Sequence, residues 1–178
     1  DLPRLLRYWN LAETRNGTLV LRRAALLLFG NEALRWHPNN RLRIRRVHGT
    51  AEGCGPHVRT REVDVPGPIV QILQCATRIL LSTHEVEAKQ GSLFATAQLL
   101  PRDAVEECIV NAVAHRNYAI EGSAVETLLF PDRLEFRSPG RLPEPLTIED
   151  LRRQRGAHRS RNPLIMRVLR DLGWARDQ

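Results

Sequence analysis

The sequence predicts an α+β fold, on three observations. Residues 41–47 (RLRIRRV) alternate, with Leu42 and Ile44 on one face and Arg41, Arg43 and Arg45 on the other, the period of a half-buried strand. Residues 67–82 (GPIVQILQCATRILLS) and the stretch from Asp103 to about Tyr118 carry apolar residues at helical spacing. Residues 123–130 and 133–138 are short and strand-like, with Pro131-Asp132 as a tight turn between them. Helices mixed with antiparallel strands in this way pack as helices on a sheet.

The remaining elements follow in order. Residues 3–12 (PRLLRYWNLA) and 19–29 (LVLRRAALLLF) read as short helices, the second apolar nearly all round and ended by Gly30. Residues 50–58 form a Gly/Pro loop, and 59–64 suit a second short strand. On the 67–82 helix, Ile69, Ile72, Ala76, Ile79 and Leu80 share a face. Residues 85–98 suggest strand, turn and strand around Gln90-Gly91-Ser92. Asp103 can cap the next helix, with Glu106 three residues on in capping-box position. Thr147 opens a short helix, and Asn162-Pro163 opens another that Gly173 ends. Trp9, Trp36 and Trp174 suit core or interface anchors.

Composition limits the function classes. The chain has 178 residues, 42% of them hydrophobic and 26% charged, within the globular range. No stretch approaches the roughly 18 apolar residues of a membrane helix, and no signal segment opens the chain. The only Met is Met166, so an internal piece of a longer protein is expected. Cys54, Cys75 and Cys108 are scattered, which fits buried thiols in a reducing cytoplasm rather than a disulfide framework or zinc site. The net charge of +7 lies in the first 50 residues, where ten Arg face three acids. That bias fits a nucleic-acid or acidic partner. The Arg41, Arg43 and Arg45 stripe could track a phosphate backbone, or it could be an exposed sheet face or a protected edge strand.

The stretch from residue 106 to 118 reads EECIVNAVAHRNY. Positions four apart drift only about 40° around a helix, so Glu107, Asn111 and His115 form one slanted polar stripe. A solvated surface face explains the spacing. Metal-assisted phosphate chemistry also does, since an Asn oxygen suits magnesium and a carboxylate one turn earlier could activate water. No P-loop, GxGxxG, HExxH or calcium loop is present.

Glu107-Cys-Ile-Val-Asn111-Ala112-Val-Ala-His115-Arg116-Asn-Tyr118 resembles the ExxxNAxxHRxY signature of a divergent branch of the GHKL (histidine-kinase-like) ATPases. The branch occurs in bacterial and archaeal proteins described as transcriptional regulators or RecG-related helicases. The likeness continues through Phe130-Pro-Asp132-Arg133-Leu-Glu135-Phe, Ser138-Pro139-Gly140-Arg-Leu142-Pro143 and Ser160-Arg161-Asn162-Pro163, over about residues 99–175. Residues 17–30 and 66–70 are similar to the segment that precedes this domain in such proteins, which also carry a Schlafen-type AlbA-like domain upstream and a winged helix downstream.

The resemblance implies a Bergerat-type sandwich, with helices on a mixed, largely antiparallel sheet. It implies an N-terminal subdomain over 1–98 and an ATPase-like domain over 99–175. It implies ATP and magnesium as cofactors, with Glu107 as general base and Asn111 as metal ligand. His115 and Arg116 would join the nucleotide site, His115 equally suiting a structural role, and Ser138 and Gly140 would line the purine end. Two departures stand out. The Asp that reads adenine in GHKL proteins is absent, Ser138 standing in its region, and no Gly-rich lid follows. Residues 152–161 (RRQRGAHRSR) are basic instead, either a phosphate clamp or a solvated loop.

The expected function is a nucleotide-binding regulatory module and weak ATPase, not a helicase motor. The alternative is a degenerate, non-catalytic scaffold for nucleic-acid binding or dimerisation. Partners would be a nucleotide, DNA or RNA through the longer protein, and a second copy of the chain, with no membrane.

Overall fold

The computed structural model describes residues 1–47, 61–82, 85–90, 93–98, 100–153 and 160–175. The expected loop at 50–58, the tip at Gly91-Ser92 and most of the basic stretch at 152–161 lie outside them.

The chain opens with helix α1 (Leu2–Tyr8) and a hairpin of β1 (Ala12–Arg15) and β2 (Thr18–Leu21). This hairpin replaces the first half of the helix expected over 19–29. Asn16 and Gly17 both adopt positive φ, 49° and 76°, which a two-residue hairpin turn requires. Helix α2 (Arg23–Phe29) then buries Ala25, Leu27 and Leu28, and a short helix α3 (Ala33–Trp36) follows that the sequence did not announce. Trp9 is buried as expected, whereas Trp36 is 62% exposed.

The main sheet has the order β4-β3-β7-β8. It joins β3 (Arg41–Arg46), β4 (Arg61–Pro66), β7 (Val125–Leu129) and β8 (Leu134–Arg137). β3 runs parallel to β7, while the other two pairings are antiparallel. The sheet is thus mixed and largely antiparallel. β3 lies inside it, so the edge-strand reading of the arginine stripe is corrected. Leu42 and Ile44 face the core, as the alternation required.

Helices α4 (Ile69–Ser82) and α5 (Arg102–Ala114) pack together, α4 against β3 and β4 and α5 against β8. α4 buries Ile69, Ile72, Leu73, Ala76 and Leu80, one continuous helical face. The C-terminal helix α7 (Pro163–Asp171) packs on α5 and α2. A short α6 (Ile148–Arg152) precedes it, opened by the expected exchange between Thr147 and Asp150. β5 (Glu85–Gln90) and β6 (Leu93–Gln98) form a separate hairpin. One apolar cluster draws on residues from Leu6 to Leu169.

α5 differs from expectation at both ends. Pro101 precedes its first turn with no side-chain cap, and Asp103 lies inside that turn. Glu106 accepts from Arg102 at 2.8 Å instead of closing a capping box. The helix stops at Ala114, with His115 as its C-cap, rather than reaching Tyr118.

Candidate functional site

Three of the motif stretches meet at the C-terminal end of α5. A helix leaves its last four carbonyl oxygens without partners of its own. Here each finds a donor. The Asn111 carbonyl accepts from the His115 N–H at 3.0 Å. The Ala112 carbonyl accepts from Ser138 Oγ at 2.7 Å. The Val113 carbonyl accepts from the Tyr118 hydroxyl at 3.0 Å. The Ala114 carbonyl accepts from Asn162 Nδ2 at 2.8 Å, and the same amide donates to the Arg116 carbonyl at 2.8 Å. Three separated pieces of sequence, residues 115–118, Ser138 and Asn162, therefore close one helix end.

The loop after α5 docks on the 138–140 turn. The Asn117 N–H donates to the Pro139 carbonyl at 2.7 Å. Gly140 follows with φ 129°, and a Cβ there would stand 2.9 Å from Asn117 Cβ. Arg116 is 1% exposed. Its guanidinium donates to the carbonyls of Ile120 and Ser123 at 3.0 and 2.7 Å and lies 4.8 Å from the Tyr118 ring centre. It also lies 3.0 Å from Nε2 of His37, an equally buried residue from the loop after α3. The same Nε2 lies 3.1 Å from the Tyr118 carbonyl, so it accepts from Arg116 in one tautomer and donates to that carbonyl in the other. Burial and then the Arg116 charge hold His37 below its usual pKa. Burial also pushes the Tyr118 phenol up.

Two adjoining cavities flank this loop. The first, about 660 Å³, is an open groove lined by Asn117, Ile120, Gly140, Leu142, Glu144 and Arg161 among others. The second, about 370 Å³, lies between α2, residues 117–119 and the start of α7, with Arg23 and Arg161 in its wall. Asn117 and Arg161 line both. Arg161 donates to the Arg141 carbonyl, while its buried Nε–H has no acceptor among the described residues. His115, half-buried, titrates below its usual range because of burial and then the Arg161 charge.

The residues singled out in the sequence fall as follows. Gly140 lines the first cavity. Ser138 turns its hydroxyl onto α5. Arg116 belongs to the interior, where its contacts are with protein groups. Glu107 and Asn111 are exposed on α5 and are not among the residues lining either cavity. Arg41, Arg43 and Arg45 form a charge lattice with acids on both neighbouring strands. Arg41 and Arg43 reach Asp64 at 3.2 and 2.9 Å, Arg43 reaches Glu62 at 2.8 Å, and Arg45 reaches Glu126 at 3.4 Å. The hydrogen bond from Arg43 holds the Asp64 carboxyl below its usual range. Sequence reasoning missed His37 and Arg23, which carry no local signal. It read Asn162 as the side-chain cap of the last helix, whereas that side chain turns to the end of α5, and it read Arg161 only as part of a basic stretch that could clamp phosphates or be solvated.

Residues 122–178 match the family model described as "Putative ATP-dependent DNA helicase recG C-terminal". The C-terminal third of the chain is thus similar to an ATPase-like, RecG-related family. The fold also resembles the crystal structure of the DIP2311 protein from Corynebacterium diphtheriae, with a TM-score of 0.70 at 20% identity over 99% of this chain. The chain spans 33% of that protein's length. No curated protein matches it. No described helix is long and apolar enough to cross a membrane.

Proposed function

We propose that this chain is a nucleotide-binding module whose ligand occupies the paired cavities beyond α5. The observation that carries this reading is the shared wall of Asn117 and Arg161, where a buried guanidinium N–H has no acceptor among the described residues. The first cavity offers Ile120 and Leu142 to a base, over the open floor at Gly140. The second offers Arg23 and Arg161 to phosphates. α7 begins there without a side-chain cap, because Asn162 is turned toward α5, and its first amides add positive potential.

ATP with magnesium is the ligand this reading favours. Among the described residues no three His, Cys, Asp or Glu side chains gather to hold a metal. Magnesium carried on phosphates needs no such cage, because it keeps water and takes few protein ligands. Asn111, exposed on α5 one helical turn before its capped end and outside both cavity linings, is the residue that the family resemblance would assign as such a ligand. Glu107, one turn earlier, would orient water for slow hydrolysis. Within a longer bacterial or archaeal transcriptional regulator, such a module would report nucleotide state.

Titration with ATP and magnesium, read by thermal unfolding, tests this. Ligand at about 100 times its dissociation constant should add roughly 2.7 kcal/mol of stability. Asn111→Ala should shrink the magnesium-dependent part. No shift at millimolar ATP in wild type overturns the nucleotide reading, and an equal shift in Asn111→Ala overturns the metal role. A non-catalytic scaffold is the second reading, favoured by the internal engagement of Ser138, Arg116 and Asn162. It predicts no ATP shift, and either salt-sensitive nucleic-acid binding or a stable dimer.

A further inference from the structure

We infer that Arg23 is a phosphate-reading side chain delivered by α2, and that Glu121 holds it in reserve until an anionic ligand arrives. The inference rests on the nucleotide site proposed above and names a component outside the ATPase-like match, which begins at residue 122. Arg23 stands at the start of α2 and lines the second cavity opposite the first turn of α7. Arg161 is the other cation in that wall, and no carboxylate is among its described lining residues. The described wall of this cavity thus offers two positive charges and no negative one to an anion.

Arg23 is parked rather than locked. Its Nη2 lies 3.4 Å from Glu121 Oε1, and the two side chains are 59% and 60% exposed. Such a long, hydrated pair contributes little and exchanges readily. A phosphate offers the arginine fork a more highly charged acceptor, in the bidentate geometry the fork matches. Glu121 is otherwise well placed to release it. Asn39 donates to the Glu121 backbone carbonyl, so the chain stays anchored when the carboxylate lets go. Glu121 also directly follows residues 117–120, which line the cavities. Ligand binding would therefore be felt at α2 through a change of partner. The ligand class is a nucleoside polyphosphate, since the second cavity matches phosphates and the first the base.

Calorimetric titration of the whole chain with ATP, ADP and adenosine, each with magnesium, tests the inference. Arg23→Met should weaken ATP about tenfold, one charge-assisted contact's worth, weaken ADP less and leave adenosine unchanged. Arg23→Lys should recover part of the loss. Glu121→Gln should tighten ATP about threefold by removing the competing acceptor, and the double variant should behave as Arg23→Met. Glu121→Gln binding ATP as wild type or more weakly overturns the inference. So does Arg23→Met losing ATP and adenosine equally. Wild type that binds ATP with Arg23→Met unchanged sinks the arginine's role alone. Wild type that binds none of the three sinks the site reading and this inference with it.

Discussion

Gly140 shows how one residue carries both fold and site. Its φ of 129° is a conformation that side chains with a Cβ rarely adopt, and the space beside it is filled by Asn117. The 138–140 turn can therefore press against the loop after α5 only if this position lacks a side chain. Gly140→Ala should destabilise the chain by about 1–3 kcal/mol, the usual magnitude of such strain, measured by urea unfolding. Because Gly140 lines the first cavity, the variant should also bind nucleotide less tightly. A variant as stable as wild type would show that the turn yields without strain. The sequence singled out this glycine through SPGRLP; the close approach that requires it was visible only once Asn117 was placed beside it.

At the scale of elements, α5 is the instructive case. Its apolar positions and its Glu107, Asn111 and His115 stripe were legible, because helical periodicity is a local property. Its true end was not, because the donors that close it come from Ser138, Tyr118 and Asn162, up to 48 residues away. Asn162→Ala leaves the Ala114 and Arg116 carbonyls without their donor and should cost about 1–3 kcal/mol. Hydrogen exchange should show the last turn of α5 losing protection more than α4 does. Asn162→Asp should fare no better, since a carboxylate can only accept. Equal protection in both helices would argue against the cap. β3 gives the complementary lesson. Alternation identified the strand and its two faces, while its interior place and the acids beside its arginines depended on which strands pair with it. The β1–β2 hairpin was legible in principle from Asn16-Gly17, but the apolar run after it outweighed the turn signal.

For the molecule as a whole, the contact between His37 and Arg116 ties the first forty residues to the loop after α5. It also makes stability depend on pH. His37 has a folded pKa below its ordinary 6.5, so the unfolded chain takes up the proton first as pH falls. Stability from keeping the ring neutral is thus present above 6.5 and is lost as pH falls toward the lowered folded value. His115 acts in the same direction. The slope is at most about 1.4 kcal/mol per pH unit for each proton. Groups facing His37 from the packed elements are Arg116, Tyr118, Arg23 and Glu121. In urea unfolding from about pH 7 to about pH 5, His37→Gln should lose less stability than wild type. Equal losses would show that His37 does not titrate with unfolding.

The sequence by itself determined the fold class, most elements and the ordered motifs, since these depend on residues close along the chain. Tertiary structure decided where the motifs sit and what they touch. Their polar groups reach a helix end or a cavity wall only after distant segments pack, and whether a side chain is engaged in the interior or left for a ligand depends on neighbours the local sequence does not contain. Ser138, Arg116 and Asn162 donate to backbone carbonyls of the fold. Arg23 and Arg161, distinguished by no spacing in the sequence, came to face the same cavity.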